Sequence, residues 1–126
     1  MKIKKSSWIT IGIILAVIIF AVIMKNTIGN GTPQDIIECI GQNSELYTQY
    51  GCHACNNQLK LFGLDVTGLN KNELKDYLKN SQLNIIDCLY EQDKCKNIKY
   101  TPTWIINGEE YIGLQSIEKL KELTGC

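Results

Sequence analysis

Tyr50-Gly51-Cys52-His53-Ala54-Cys55 decides how this 126-residue chain is read. Upstream, Leu46 to Tyr50 alternates like a strand. Downstream from Ala54, Leu59, Leu61 and Phe62 read as a helix that ends at Gly63. The two cysteines therefore lie where a strand hands over to a helix. The first turn of a helix has unpaired N–H groups and the positive end of the macrodipole, so a thiolate there is stabilised against its thiol. Cys52 is the expected exposed nucleophile. Cys55, a turn deeper, is the expected resolving or leaving sulfur. His53, the only histidine, lies between them. Its partial positive charge favours thiolate over disulfide and tunes the pair towards a stronger oxidant; the plainer alternative is an exposed helix-start residue without a role. Two other readings of the pair compete. Half of a zinc site would need a second C-x-x-C, which the sequence lacks. A structural staple would not need the strand-to-helix junction.

Outward from this centre, the sequence predicts an α/β fold. Thr32-Pro33 offers a capped helix start, with Ile36, Ile37 and Ile40 on one face until Gly41 stops it. Leu64 to Leu69 reads as a loop, and Asn70 to Asn80 as a helix with Leu74, Tyr77 and Leu78 at helical spacing. Leu83 to Cys88 looks like a buried strand, and Glu91 to Lys99 like a short polar helix. Thr103 to Ile106 is a strand, Asn107-Gly108 a two-residue hairpin turn, and Tyr111-Ile112 the return strand. Ser116 caps a last helix bearing Ile117, Leu120 and Leu123. The expected architecture is a mixed sheet with helices on its faces. Thr101-Pro102 precedes the third strand, where proline is tolerated because it has no donor to contribute; the residues alone favour an ordinary trans bond.

Composition restricts the class. The chain has 13 basic and 13 acidic side chains, six cysteines and no arginine. Lys2, Lys4, Lys5 and Lys25 precede the first acidic residue, Asp35, so nine lysines face 13 carboxylates in the remainder, a net charge of −4. A weakly acidic domain without arginine is a poor nucleic-acid binder. Trp8 to Met24 is seventeen residues without a charge. As a helix it rises about 26 Å, at the short end of the spanning range. The apolar run is longer than a usual signal-peptide core, and no small-residue cleavage site follows it. The expected organisation is a cytoplasmic basic tail at 1–7, a transmembrane anchor at 8–24, a linker at 25–33 and one domain at 34–126. Lysines ahead of the anchor keep the amino terminus inside and place the domain outside a cell membrane, in a single-pass arrangement. Six cysteines agree with an oxidising compartment.

With the C-x-x-C at a strand–helix junction and a Thr-Pro before a later strand, the chain resembles the thioredoxin superfamily. It is most similar to the thioredoxin-like domains fused to, or paired with, prokaryotic homologues of vitamin K epoxide reductase. The residues behind this are Tyr50 to Cys55, Gln58, Leu61-Phe62-Gly63, Asp87-Cys88, Cys95, Tyr100 to Gly108, Tyr111-Ile112-Gly113, Ser116, and Leu120 to Cys126. The resemblance spans most of residues 36–126. It implies a thioredoxin-like fold, a cis Thr101-Pro102 bond facing the Cys52–Cys55 disulfide, and thiol–disulfide exchange outside the cytoplasm on protein thiols. It implies a substrate face of Gly51, Thr101 and Pro102, and reoxidation by a quinone-reducing membrane partner; no metal or organic cofactor is implied. The sequence departs from the family where Trp often precedes the first cysteine and Pro-His lies within the pair: here stand Gly51 and His53-Ala54. In that family the middle dipeptide tunes the potential, so the direction of electron flow is open.

Cys39, Cys88, Cys95 and Cys126 allow three pairings. The favoured one joins Cys88 to Cys95 across a short loop and Cys39 to Cys126, tying the first domain helix to the last. The alternative role for Cys88–Cys95 is an electron relay. Three functions compete: an oxidase of exported protein thiols, a reductase fed by a membrane electron donor, and a redox-silent client-binding module.

Overall fold

The structure, a computed structural model, describes residues 5–27 and 31–126. It divides into two units, one within Met1–Asn30 and one over Gly31–Cys126. In the first, α1 runs over Lys5–Thr27. Its described side chains, at 9–23, are exposed and mostly large and apolar. Among the described residues, no helix is long and apolar enough to cross a membrane. The ends of the expected span 8–24, like much of the expected tail and linker, lie outside the residues whose side chains are described.

The second unit is a mixed four-stranded sheet flanked by helices. Its order is α2 (Gln34–Gln42), β1 (Glu45–Thr48), α3 (His53–Lys60), α4 (Lys71–Lys79), β2 (Ile85–Asp87), a 3-10 turn (Gln92–Cys95), β3 (Thr103–Ile106), β4 (Glu109–Ile112) and α5 (Ile117–Thr124). The spatial order of strands is β2-β1-β3-β4. β1 and β2 are parallel, with Thr48 opposite Asp87, whereas β3 runs antiparallel to β1, with Thr103 opposite Tyr47. β4 returns antiparallel with Ile112 opposite Thr103. This topology gathers the ends of β1, β2 and β4 and the start of β3 at one edge of the sheet.

Position in the sheet explains burial. Central β3 is covered on both faces, so Thr103, Trp104 and Ile106 are buried; edge strand β4 reads Glu-Glu-Tyr-Ile and is largely exposed. Charged residues on an edge discourage pairing with other chains. Ile40, Leu46, Leu59, Trp104, Ile106 and Leu120 form the centre of the core. The Phe62 ring tilts against Trp104 with centroids 5.8 Å apart. The hairpin closes through Asn107 and Gly108, both at positive φ, as the two-residue turn requires.

Several boundaries differ from the sequence expectation. Thr32 does not cap α2. Pro33 takes the cap position without a side-chain bond, and the Thr32 hydroxyl donates to the Leu61 carbonyl instead. Gly41 does not end α2. It is buried inside the helix, where a Cβ would sit 2.1 Å from the Gln82 carbonyl oxygen. Close approach of two backbones, not a helix stop, requires that glycine. The expected helix at Glu91 to Lys99 shrinks to the 3-10 turn. The strands expected at Leu46 to Tyr50 and Leu83 to Cys88 are each shorter, β1 ending at Thr48 and β2 running only over Ile85–Asp87.

Candidate functional site

The site stands on the edge where the strand ends converge. β1 finishes at Thr48, and the turn Gln49-Tyr50-Gly51 leads into α3, closed by the Cys52 N–H donating to the Gln49 carbonyl at 3.0 Å. Gly51 has φ +82°, a conformation that costs an L-residue about 1–2 kcal/mol. Cys52 is the cap of α3 itself, in extended conformation, and its sulfur accepts the Cys55 N–H at 3.2 Å. One of the unpaired donors of the helix start is therefore aimed at Sγ. Cys52 and Cys55 form a disulfide, with Cα atoms 5.2 Å apart. Cys52 is half-buried and Cys55 is 1% exposed, so an incoming group meets Cys52 first.

Thr101 faces the pair from the start of β3. Its hydroxyl donates to Cys52 Sγ at 3.5 Å, and its carbonyl oxygen lies 3.6 Å from the same sulfur. The Thr101–Pro102 bond is cis, and Pro102 is buried. The Pro102 carbonyl accepts the Gly113 N–H at 2.8 Å, which joins the end of β4 to the same edge. Gly51, Cys52, Thr101 and Pro102 are thus brought together. His53 is exposed at the first position of α3, and Ala54 is exposed beside it.

Beneath the site lies a residue whose part the sequence did not disclose. Gln58, fully buried, accepts from Trp104 Nε1 at 3.1 Å and from the Gln115 N–H at 2.7 Å, and donates to the Gln115 carbonyl at 3.0 Å. One amide thus clamps α3 to β3 and to the segment before α5. A polar residue at a position that helical spacing assigns to the core is the signal in the sequence.

The remaining cysteines are paired with one another. Cys88, held where β2 ends by its N–H to the Thr48 carbonyl at 2.8 Å, bonds Cys95 at the end of the 3-10 turn. Cys39 of α2 bonds Cys126 beyond α5. Among the described residues, no group of three or more His, Cys, Asp or Glu side chains could hold a metal ion. No protein-family model matches the chain, and no curated protein matches its sequence.

Proposed function

We propose that this chain is a thiol–disulfide oxidoreductase of the thioredoxin superfamily, tethered to the cell membrane through residues 8–24 and acting on exported protein thiols. The observation behind this reading is the Cys52 sulfur: it caps α3, is bonded to a buried Cys55, and faces Thr101. A client thiolate attacks Cys52 Sγ along the S–S axis. The Cys52–Cys55 bond breaks, and Cys55 leaves as a thiolate. A second client thiolate then attacks the client sulfur of the mixed disulfide and releases the Cys52 thiolate, which the Cys55 N–H stabilises. Two electrons pass from client to protein, and the client gains a disulfide. A quinone-linked membrane partner of the vitamin K epoxide reductase type would take those electrons and restore the pair.

Access favours Cys52 as the attacked sulfur, and the cap favours it as the departing thiolate. Equilibration with glutathione buffers tests the direction. A potential near the strongly oxidising end, about −120 mV, supports the oxidase; one near about −270 mV reverses the flow and makes the chain a reductase. Failure of the protein to oxidise reduced ribonuclease, or to reduce insulin, at any poise leaves only client binding without redox chemistry.

A further inference from the structure

A cleft of about 430 Å³ opens beside Cys52, on the α4 side of the site. Val66 and Leu74, each 6% exposed, form its floor with the half-buried Leu69. Asn56, one helical turn beyond Cys52, and the exposed Asn70 line its rim. Gly51 stands at the mouth, where a Cβ would meet nothing within 4 Å. Tyr50 walls the mouth, with Lys71 Nζ 5.8 Å from its ring centroid. The Asn70 side chain accepts the Asn72 and Glu73 N–H groups, and Glu73 bonds back to the Asn70 N–H, so that rim is fixed by a capping box.

Resting on the exchange reading above, we propose that this cleft selects clients, by seating a large apolar side chain within two residues of the reacting client cysteine. The occupant follows from covalent geometry. Gly51 is bonded to Cys52, so a polypeptide whose sulfur reaches Cys52 Sγ must lay its neighbouring residues over adjoining surface. On the α4 side that surface is this cleft. Its volume exceeds one leucine side chain, and its floor gains from covering apolar carbon. The absence of a side chain at position 51 makes the seat: a large residue there would stand in its mouth.

The test uses the oxidised full chain in detergent and reduced two-cysteine peptides that differ only beside the first cysteine. That position holds Leu, Phe, Ala or Asp, and reduced glutathione serves as a small thiol. Peptide oxidation is followed by mass. The expected result is kcat/KM at least about tenfold higher for Leu and Phe than for Ala or Asp. Asn56→Trp, which fills the rim, should bring the Leu-to-Ala ratio close to one. Equal rates for all four peptides, with exchange intact, overturn the cleft and leave the exchange reading standing. Absence of exchange with every peptide and with glutathione overturns both.

Discussion

Two helix starts in this domain make the same hydrogen bond with different atoms. At α5, the Ser116 hydroxyl accepts the Lys119 N–H at 3.2 Å. At α3, the Cys52 sulfur accepts the Cys55 N–H, also at 3.2 Å. Both are cap residues bonded to the third helical residue, as helix ends require. Oxygen is the better acceptor, so Ser116 serves stability. Sulfur is the weaker acceptor, and its gain is largest when it becomes a thiolate. On the proposed exchange function, the difference teaches that a capping position is open to chemistry when other contacts hold the helix. At α3 the Gln58 clamp does that holding. At α5 the far end is tied to α2 by Cys39–Cys126, and Gly125 in the left-handed conformation closes the helix.

Exchanging sulfur for oxygen is the sharpest way to break the comparison. Cys52→Ser keeps the cap and removes the attacked sulfur with its disulfide, so peptide oxidation should fall by on the order of 10³-fold or more. Urea unfolding should place this variant at least level with the reduced parent, since serine is a favoured cap. A variant that kept its activity would show that the second sulfur of the pair, or another pair, performs the exchange.

Cutting the tie at the α5 end should have the opposite signature. Cys39 and Cys126 are 87 residues apart in sequence, and closing a loop of that length stabilises by about 4–5 kcal/mol in the chain-entropy model. The double variant Cys39→Ala/Cys126→Ala should lose most of that in denaturant unfolding, with the glutathione equilibrium of Cys52–Cys55 unchanged. Gln58→Leu comes next. It leaves Trp104 Nε1–H and both Gln115 backbone groups without their partner, a cost of about 2–4 kcal/mol. Because Gln58 lies on α3, this variant should also slow exchange, whereas the disulfide variant should not. Ser116→Ala should cost about 1 kcal/mol and leave exchange intact. The smallest expected effect is at His53. His53→Ala should make the pair a weaker oxidant, moving its equilibrium with glutathione by about two- to fivefold, as for one partial charge at a helix start. A larger shift would assign His53 more than an electrostatic part.

The same contrast separates what could be read from residue order from what could not. The mixed sheet with flanking helices was legible because its elements have local signals: Asn107-Gly108 for the hairpin, Ser116 for the α5 cap, and Leu74 with Leu78 for the buried face of α4. Boundaries that depended on distant partners were not. Gly41 carries the local mark of a helix stop, yet its reason is the Gln82 carbonyl from the far end of the α4 connection. Thr32 carries the mark of a cap, but the Leu61 carbonyl takes its hydroxyl. The polar run after Glu91 forms only one 3-10 turn, and the ion pairs there, Lys94–Glu91 and Lys96–Asp93, are between exposed side chains that add little.

Cysteine spacing and the strand-to-helix handover were determined by the sequence alone, since both are local and hydrophobic periodicity reports them. Only the tertiary structure decided that the Cys52 sulfur occupies the cap, that Thr101 stands 3.5 Å from it, and that Gln58 clamps the helix below. The Thr101 and Gln58 contacts join residues 46 to 57 positions apart, whereas the cap bond itself spans three. Their pairing follows from the parallel and antiparallel register of the sheet, which buries most of β1, β2 and β3 together and which no single segment encodes.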